Sequence, residues 1–192
     1  EIIPSLKYAP EVTMKVLVVG GGGREHAIIK KIKENKTVEQ IFALPGNGGI
    51  ATDATCVDIG AKDIEKIVEF AVENKIDFAV VAPDDPLVLG AVDALNAVGI
   101  KTFGPNKAAA IIEGSKAFSK DLMKKYNIPT AAYEIFDDME KALAYIETCE
   151  IPVVVKADGL ALGKGVIIAE TREDAREAVR SMMEDKVFGD SG

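Results

Sequence analysis

Apolar residues recur along this chain in two alternating periods. "KVLVVG" is an unbroken apolar run closed by glycine, as expected of a strand buried on both faces, and "REHAIIKKIKENK" behind it is apolar at helical spacing. "VEQIFALPGNGG" reads as a strand running into a loop, completing one βαβ unit. A short strand near "ATCVDIG", a helix in "KDIEKIVEFAVENK", the strand "DFAVVA", a loop "PDDP", a helix in "PLVLGAVDALNAVG" and the strand "KTFG" follow. Buried strands separated by helices of about 12 residues predict an α/β fold with a doubly wound parallel sheet, whose ligands gather at the carboxyl ends of the strands.

After Pro105 the pattern changes. Two helices, "NKAAAIIEG" and "SKAFSKDLMKKYN", come in succession without a strand between them. Beyond Pro129 the order is strand "AAYEIF", helix "MEKALAYIETC", strand "PVVVKA", a glycine-lysine loop, strand "VIIAE" and a helix from "TREDAREAV". Thr171 with Asp174 forms a capping-box signature for that last helix. The strands at 153–157 and 166–169 are close enough for a hairpin, so the second unit is expected to be α+β. The boundaries read from the pattern are 1–13, an N-terminal extension with Met14 as the natural start; 14–104, the α/β unit; 105–127, the helical stretch; and 128–192, the α+β unit.

The 192 residues are 48% hydrophobic and 28% charged, a composition able to bury a core. A net charge of −8 argues against nucleic acid or an acidic membrane surface as partner, so an anionic ligand needs local positive groups. No apolar run is long enough to span a bilayer. Cys56 and Cys149 match no metal or redox spacing and read as reduced core thiols, which with the absence of a signal peptide points to the cytoplasm. No metal site is read in this chain.

Two glycine loops carry the candidate chemistry. Gly20 to Gly23 lie between a strand and a helix, where the backbone can be approached closely and helix-end N–H groups can meet an anion; a turn that only closes the corner is the alternative. G-x-G-x-x-G fails, because Glu25 stands at the third glycine and "IFALPGN" lacks the acidic residue, which counts against a nicotinamide cofactor. Arg24 and His26 place cations in a helix's first turn, against its dipole. An anionic ligand would explain Arg24; packing against the sheet would equally explain His26. "PGNGG" and "PDDP" are expected beside this loop, forming one cleft of three polar loops, with Asp84 and Asp85 either solvated or bound to a ligand hydroxyl or amine. "KADGLALGKGV" fails as a P-loop: Gly159, Gly163 and Lys164 leave one residue too few, Gly165 replaces Ser or Thr, and a strand follows. It remains a glycine-lysine hairpin, able to hold a polyphosphate or simply solvated.

The segments "VLVVGGGGREHAI", "ALPGNGGIA", "APDDPLVLG", "FGP", "EGSKAFSK", "IPTAAYEIF", "VVVKADGLALGKGV" and "FGDSG", in this order, resemble the phosphoribosylamine-glycine ligase family across 14–192. The resemblance implies a Rossmann-like pre-ATP-grasp domain followed by the start of an ATP-grasp fold, with 105–127 opening its central domain and 128–192 its lid. It implies ATP-dependent joining of glycine to 5-phosphoribosylamine through an acyl phosphate, in purine biosynthesis, with magnesium, or manganese in its place. By position, Lys116, Lys156, Gly159, Gly163, Lys164 and Gly165 are expected at ATP. Gly22, Gly23, Arg24, Glu25, Pro45, Gly46, Asn47, Asp84 and Pro86 are expected at phosphoribosylamine. Gly21, Asp84 and Leu162 depart from the usual Asn, Glu and Ala. The family's metal carboxylates, adenine-lining strand and glycine site are expected beyond Gly192, so the 192-residue chain is expected to lack turnover by itself, leaving a non-catalytic binding module of the same fold as the alternative.

Overall fold

The computed structural model describes residues 13–160 and 165–189. The chain divides into two compact units, one running to Ala110 and the other starting at Ile111.

The first unit is built on β1 (Met14–Gly20), β2 (Val38–Pro45), β3 (Thr55–Cys56), β4 (Phe78–Val81) and β5 (Lys101–Phe103), all parallel, in the order β3-β2-β1-β4-β5. Their alternation sorts the side chains into two cores. Leu17, Val19, Phe42, Leu44, Ala79 and Val81 pack against Ile67 and Ala71 of α2 (Ile64–Glu73) and Ala91, Val92 and Leu95 of α4 (Ala91–Ala97). Val16, Val18, Ile41, Ala43 and Val80 pack on the other face against Ile29 of α1 (Gly23–Lys33) and Ile50 of a 3-10 turn, Ile50–Thr52. Helices on both faces account for the unbroken apolar strands, since neither side chain direction reaches water. The doubly wound reading therefore holds.

One expected helix is two. α3 (Asp84–Leu89) and α4 meet at Gly90, whose φ of +95° ends one helix and lets the chain start the next. The expected loop "PDDP" is correspondingly a helix start. Pro83 is the extended N-cap, Asp84 and Asp85 place carboxylates at the positive end of the dipole, and Pro86 falls where an N–H has no helical acceptor.

In the second unit, α5 (Lys107–Gly114), which begins in the first, and α6 (Lys116–Lys125) are consecutive as expected. β6 (Val153–Lys156) and β7 (Val166–Ala169) form an antiparallel hairpin, with Lys156 opposite Val166. One face of the hairpin, with Val153, Val155 and Ala169, packs on α7 (Met139–Ile146) and α8 (Arg172–Met183). Thr171 caps α8 and Asp174 answers it, completing the expected capping box. The guanidinium of Arg176 on α8 grips both carboxylate oxygens of Glu147, at 2.8 and 2.9 Å, just past the end of α7. The strand expected at "AAYEIF" is not formed: residues 131–136 take no regular structure. An alternating sequence becomes a strand only where a neighbour completes its ladder, and among the described residues none pairs with it.

Candidate functional site

The order β3-β2-β1-β4-β5 reverses direction between β1 and β4, where successive loops diverge and leave a crevice at the carboxyl edge of the sheet. An open cleft of about 570 Å³ lies there. Gly20 at the end of β1 with Gly21, Gly22 and Glu25 after it, Pro45 at the end of β2, and Pro83, Asp85 and Pro86 after β4 form most of it. The remaining wall, Gly60, Ala61, Lys62 and Asp63, leads into α2 and was absent from the sequence expectation.

The cleft floor is backbone held under tight contact. A side chain on Gly21 would place its Cβ 2.5 Å from the Gly46 carbonyl oxygen, so the two loops touch because position 21 is glycine; Gly46 itself has a φ of +69° and a Cβ there would stand 2.3 Å from Cys56 Sγ. Gly46 N–H donates to the Gly20 carbonyl at 3.2 Å. Asn47 closes the same junction: its amide donates to the Gly21 carbonyl at 2.7 Å, while its Oδ1 accepts Gly49 N–H and Ile50 N–H at 2.7 and 2.9 Å. Its side-chain amide is thus engaged in folding the loop. Gly23 differs, with open space where a Cβ would stand.

Among the described residues of the unit Glu25 is the buried charged one, 4% exposed, and its Oε2 accepts the Gly22 N–H at 2.6 Å. Gly22 has no side chain to return the bond, so α1 has only half a capping box. Arg24 finds its counterweight within the protein. It donates to the Ala82 carbonyl at 2.8 Å and lies 3.7 Å from Asp84, both partly open to solvent. Asp85 faces the cleft and is 3.6 Å from Lys62, the cation on the missed wall. The signal for Lys62 was its place before the Asp63 cap of α2, but only the crossing of α2 brings that segment to the sheet edge.

His26 points away from the cleft. Its Nε2 is 2.9 Å from Asp53, which also accepts Lys33 Nζ at 3.0 Å. Hydrogen bonds from His26 and Lys33 pull the Asp53 carboxyl down to about 2 against a small opposing effect of burial. His26 therefore fastens α1 to the 3-10 turn.

Of the residues expected at phosphoribosylamine, the structure gathers Gly22, Glu25, Pro45 and Pro86 on the cleft. Gly23, Arg24, Gly46, Asn47 and Asp84 are not among its lining residues, whereas Asp85 is. The expected third loop, "PGNGG", contributes Pro45 to the lining; the 60–63 segment completes the wall.

In the second unit, Lys116 begins α6 and its Nζ donates to the Gly159 carbonyl at 2.7 Å, at the start of the glycine loop. Lys156 ends β6 with an exposed side chain, and the hairpin ladder continues through Ala157 N–H to the Gly165 carbonyl at 2.9 Å. Gly163 and Lys164 lie outside the described residues. Among the described residues no three His, Cys, Asp or Glu side chains gather as a metal site, and no helix is long and apolar enough to cross a membrane.

The family model described as phosphoribosylglycinamide synthetase, N domain, matches residues 14–113, and the ATP-grasp (A) domain model of the same synthetase matches 114–192. A phosphoribosylamine–glycine ligase of Streptococcus pyogenes is 55% identical over 180 residues, covering 93% of this chain and 43% of the relative. The crystal structure of a phosphoribosylamine–glycine ligase from Thermotoga maritima superposes with a TM-score of 0.73 at 30% identity, over 91% of this chain and 41% of that one. At 18% identity, N5-carboxyaminoimidazole synthase from Aspergillus clavatus in complex with ADP and 5-aminoimidazole ribonucleotide has a TM-score of 0.68 over 91% of this chain and 45% of its own, a likeness of fold. The chain spans less than half the length of the relatives it matches, and it belongs to the phosphoribosylglycinamide synthetase family.

Proposed function

We propose that this chain supplies the phosphoribosylamine site and part of the ATP site of a ligase that joins glycine to 5-phosphoribosylamine, forming glycinamide ribonucleotide, ADP and phosphate in purine biosynthesis. The observation that carries the reading is the cleft at the β1/β4 switch point, floored by glycine backbone, in a chain 55% identical to such a ligase. Residues 14–104 act as the substrate-binding domain, 105–127 as the helical start of the ATP-grasp domain and 128–192 as its lid.

In the first unit, the Gly22 N–H is taken by Glu25, so the N–H groups of the first turn of α1, from Gly23 on, suit the phosphate of phosphoribosylamine, and Lys62 adds positive charge at the rim. Asp85 offers an acceptor for a hydroxyl or the amine. In the second unit, Lys116 and Lys156 neutralise nucleotide phosphate, which an acyl-phosphate route requires while the phosphoryl group moves to the glycine carboxylate. The amine of phosphoribosylamine then displaces phosphate from that acyl group. Magnesium, or manganese, would arrive with the nucleotide. The described residues form no cage for it, and no step here is assigned to it. The small-molecule partners are thus glycine, phosphoribosylamine and ATP, and the setting is the cytoplasm, where thiols such as Cys56 and Cys149 stay reduced.

Calorimetric titration with ribose 5-phosphate, ATP and NAD tests the binding roles. Ribose 5-phosphate and ATP are expected to bind, and Lys156→Met to weaken ATP with the first unit still folded. Binding of NAD alone would overturn the reading. In the longer enzyme, phosphate release from ATP is expected to require glycine as well as phosphoribosylamine.

A further inference from the structure

The first turn of α6 is capped twice. Ser115 is the local N-cap and accepts the Phe118 N–H on its hydroxyl at 3.0 Å. The N–H groups of Lys116 and Ala117 precede any helical acceptor, and both donate to one oxygen of Asp158, at 2.5 and 3.1 Å. The other oxygen of Asp158 accepts the Ser115 hydroxyl at 3.0 Å across a separation of 43 residues. Asp158 follows Ala157, whose N–H makes the ladder bond to Gly165, so this carboxylate stands where the glycine loop leaves its hairpin. Lys116 makes the return connection through its ammonium to the Gly159 carbonyl.

A lysine in a helix's first turn opposes the dipole, and an anion on the same N–H groups offsets it. Burial raises the Asp158 carboxyl, but the Ala117 N–H, the Ser115 hydroxyl and the N–H groups of Lys116 and Gly159 outweigh it and hold the group below the usual carboxylate range. Ser115 alone would cap the helix in the ordinary way. The second cap instead joins segments distant in sequence and sets the spacing between the Lys116 backbone and the stem of the loop. It also fills the helix terminus, so an arriving phosphate meets the Lys116 ammonium and not the α6 backbone.

We infer that Asp158 is a positioning residue for Lys116, clamping the first turn of α6 to the stem of the β6–β7 loop so that the ammonium is held where nucleotide phosphate is met. The inference rests on the proposed phosphate role of Lys116. Calorimetry with the magnesium complex of AMP-PNP, and with AMP, on the full chain is combined with amide hydrogen exchange at Lys116 and Ala117. Asp158→Ala is expected to weaken AMP-PNP about tenfold through loss of a charged acceptor, to leave AMP within about twofold, and to speed exchange at both amides. Asp158→Asn retains an acceptor without the charge and is expected to fall between; it carries the test if the alanine variant does not fold.

Unchanged AMP-PNP affinity in the Asp158 variants, or equal weakening of AMP-PNP and AMP, overturns the inference. If Lys116→Met weakens AMP-PNP while the Asp158 variants do not, the phosphate role stands and the positioning role falls. A wild type that prefers AMP-PNP no more than AMP, or a Lys116→Met that binds AMP-PNP as wild type does, overturns both.

Discussion

The two units each offer a glycine-rich loop, yet they secure it by opposite means. In the first, five parallel strands are covered on both faces, and the Gly20–Gly23 segment is wedged against the Gly46 backbone and the Asn47 side chain. In the second, two strands are covered on one face, Ile168 and Val154 are exposed on the other, and α6 buries no residue. There the start of the loop is held by polar bonds from Asp158 to the helix terminus. A site that presents backbone N–H groups needs a floor that cannot move. One that presents long side chains needs only a fixed point from which they reach.

The sharpest way to break that contrast is through the cores. Leu17→Ala, at a position with no exposure, is expected to cost about 2–5 kcal/mol, whereas Ile168→Ala on the open hairpin face is expected to cost less than about 0.5 kcal/mol. Urea unfolding followed by hydrogen-exchange mass spectrometry, which resolves the units, measures both. Equal losses would remove the distinction between a closed and a half-open sheet.

Next in size is the glycine pair. Gly21→Ala drives a Cβ against a backbone carbonyl and is expected to destabilise the first unit by about 1–3 kcal/mol. Gly23→Ala meets nothing and starts a helix, so it is expected to stabilise by up to about 1 kcal/mol; on the proposed phosphate role of the α1 N–H groups it is also expected to weaken ribose 5-phosphate, because the methyl group adds bulk beside them. Isothermal titration alongside the melts separates the two effects.

A local cap gives a smaller change. Thr171→Ala is expected to cost about 1 kcal/mol, confined in hydrogen exchange to the start of α8. The smallest effect is a pH dependence in the first unit. Because the Asp53 carboxyl is held at about 2 against an ordinary 3.8, its contribution is complete above about pH 4 and is lost as pH falls toward 2. The urea midpoint of Asp53→Asn should therefore lie below wild type at pH 5, and the gap should close on acidification. A gap that widened instead would contradict the His26–Asp53–Lys33 tie.

Local chemistry was legible wherever a short segment decides its own structure. The apolar run of β1, the Thr171–Asp174 box and the hairpin spacing around the lysine loop each needed only neighbours in sequence. The pattern reads "PDDP" as a loop, whereas Asp84 and Asp85 open α3, because proline is accepted in a helix's first turn. "AAYEIF" failed as a strand for the opposite reason, since a ladder depends on a partner that the segment does not encode.

The sequence by itself determined the period of each element, the parallel doubly wound sheet, and the glycines and lysines on which the site is built, because propensity and patterning act over a few residues. Only the tertiary structure decided that Lys62 meets Asp85 in the cleft lining, that Asn47 and His26 fasten loops, and that Asp158 caps a helix begun 42 residues earlier. Those pairings follow from chain crossings and sheet order, which bring distant polar groups to the same unsatisfied N–H or cation; no local pattern records them.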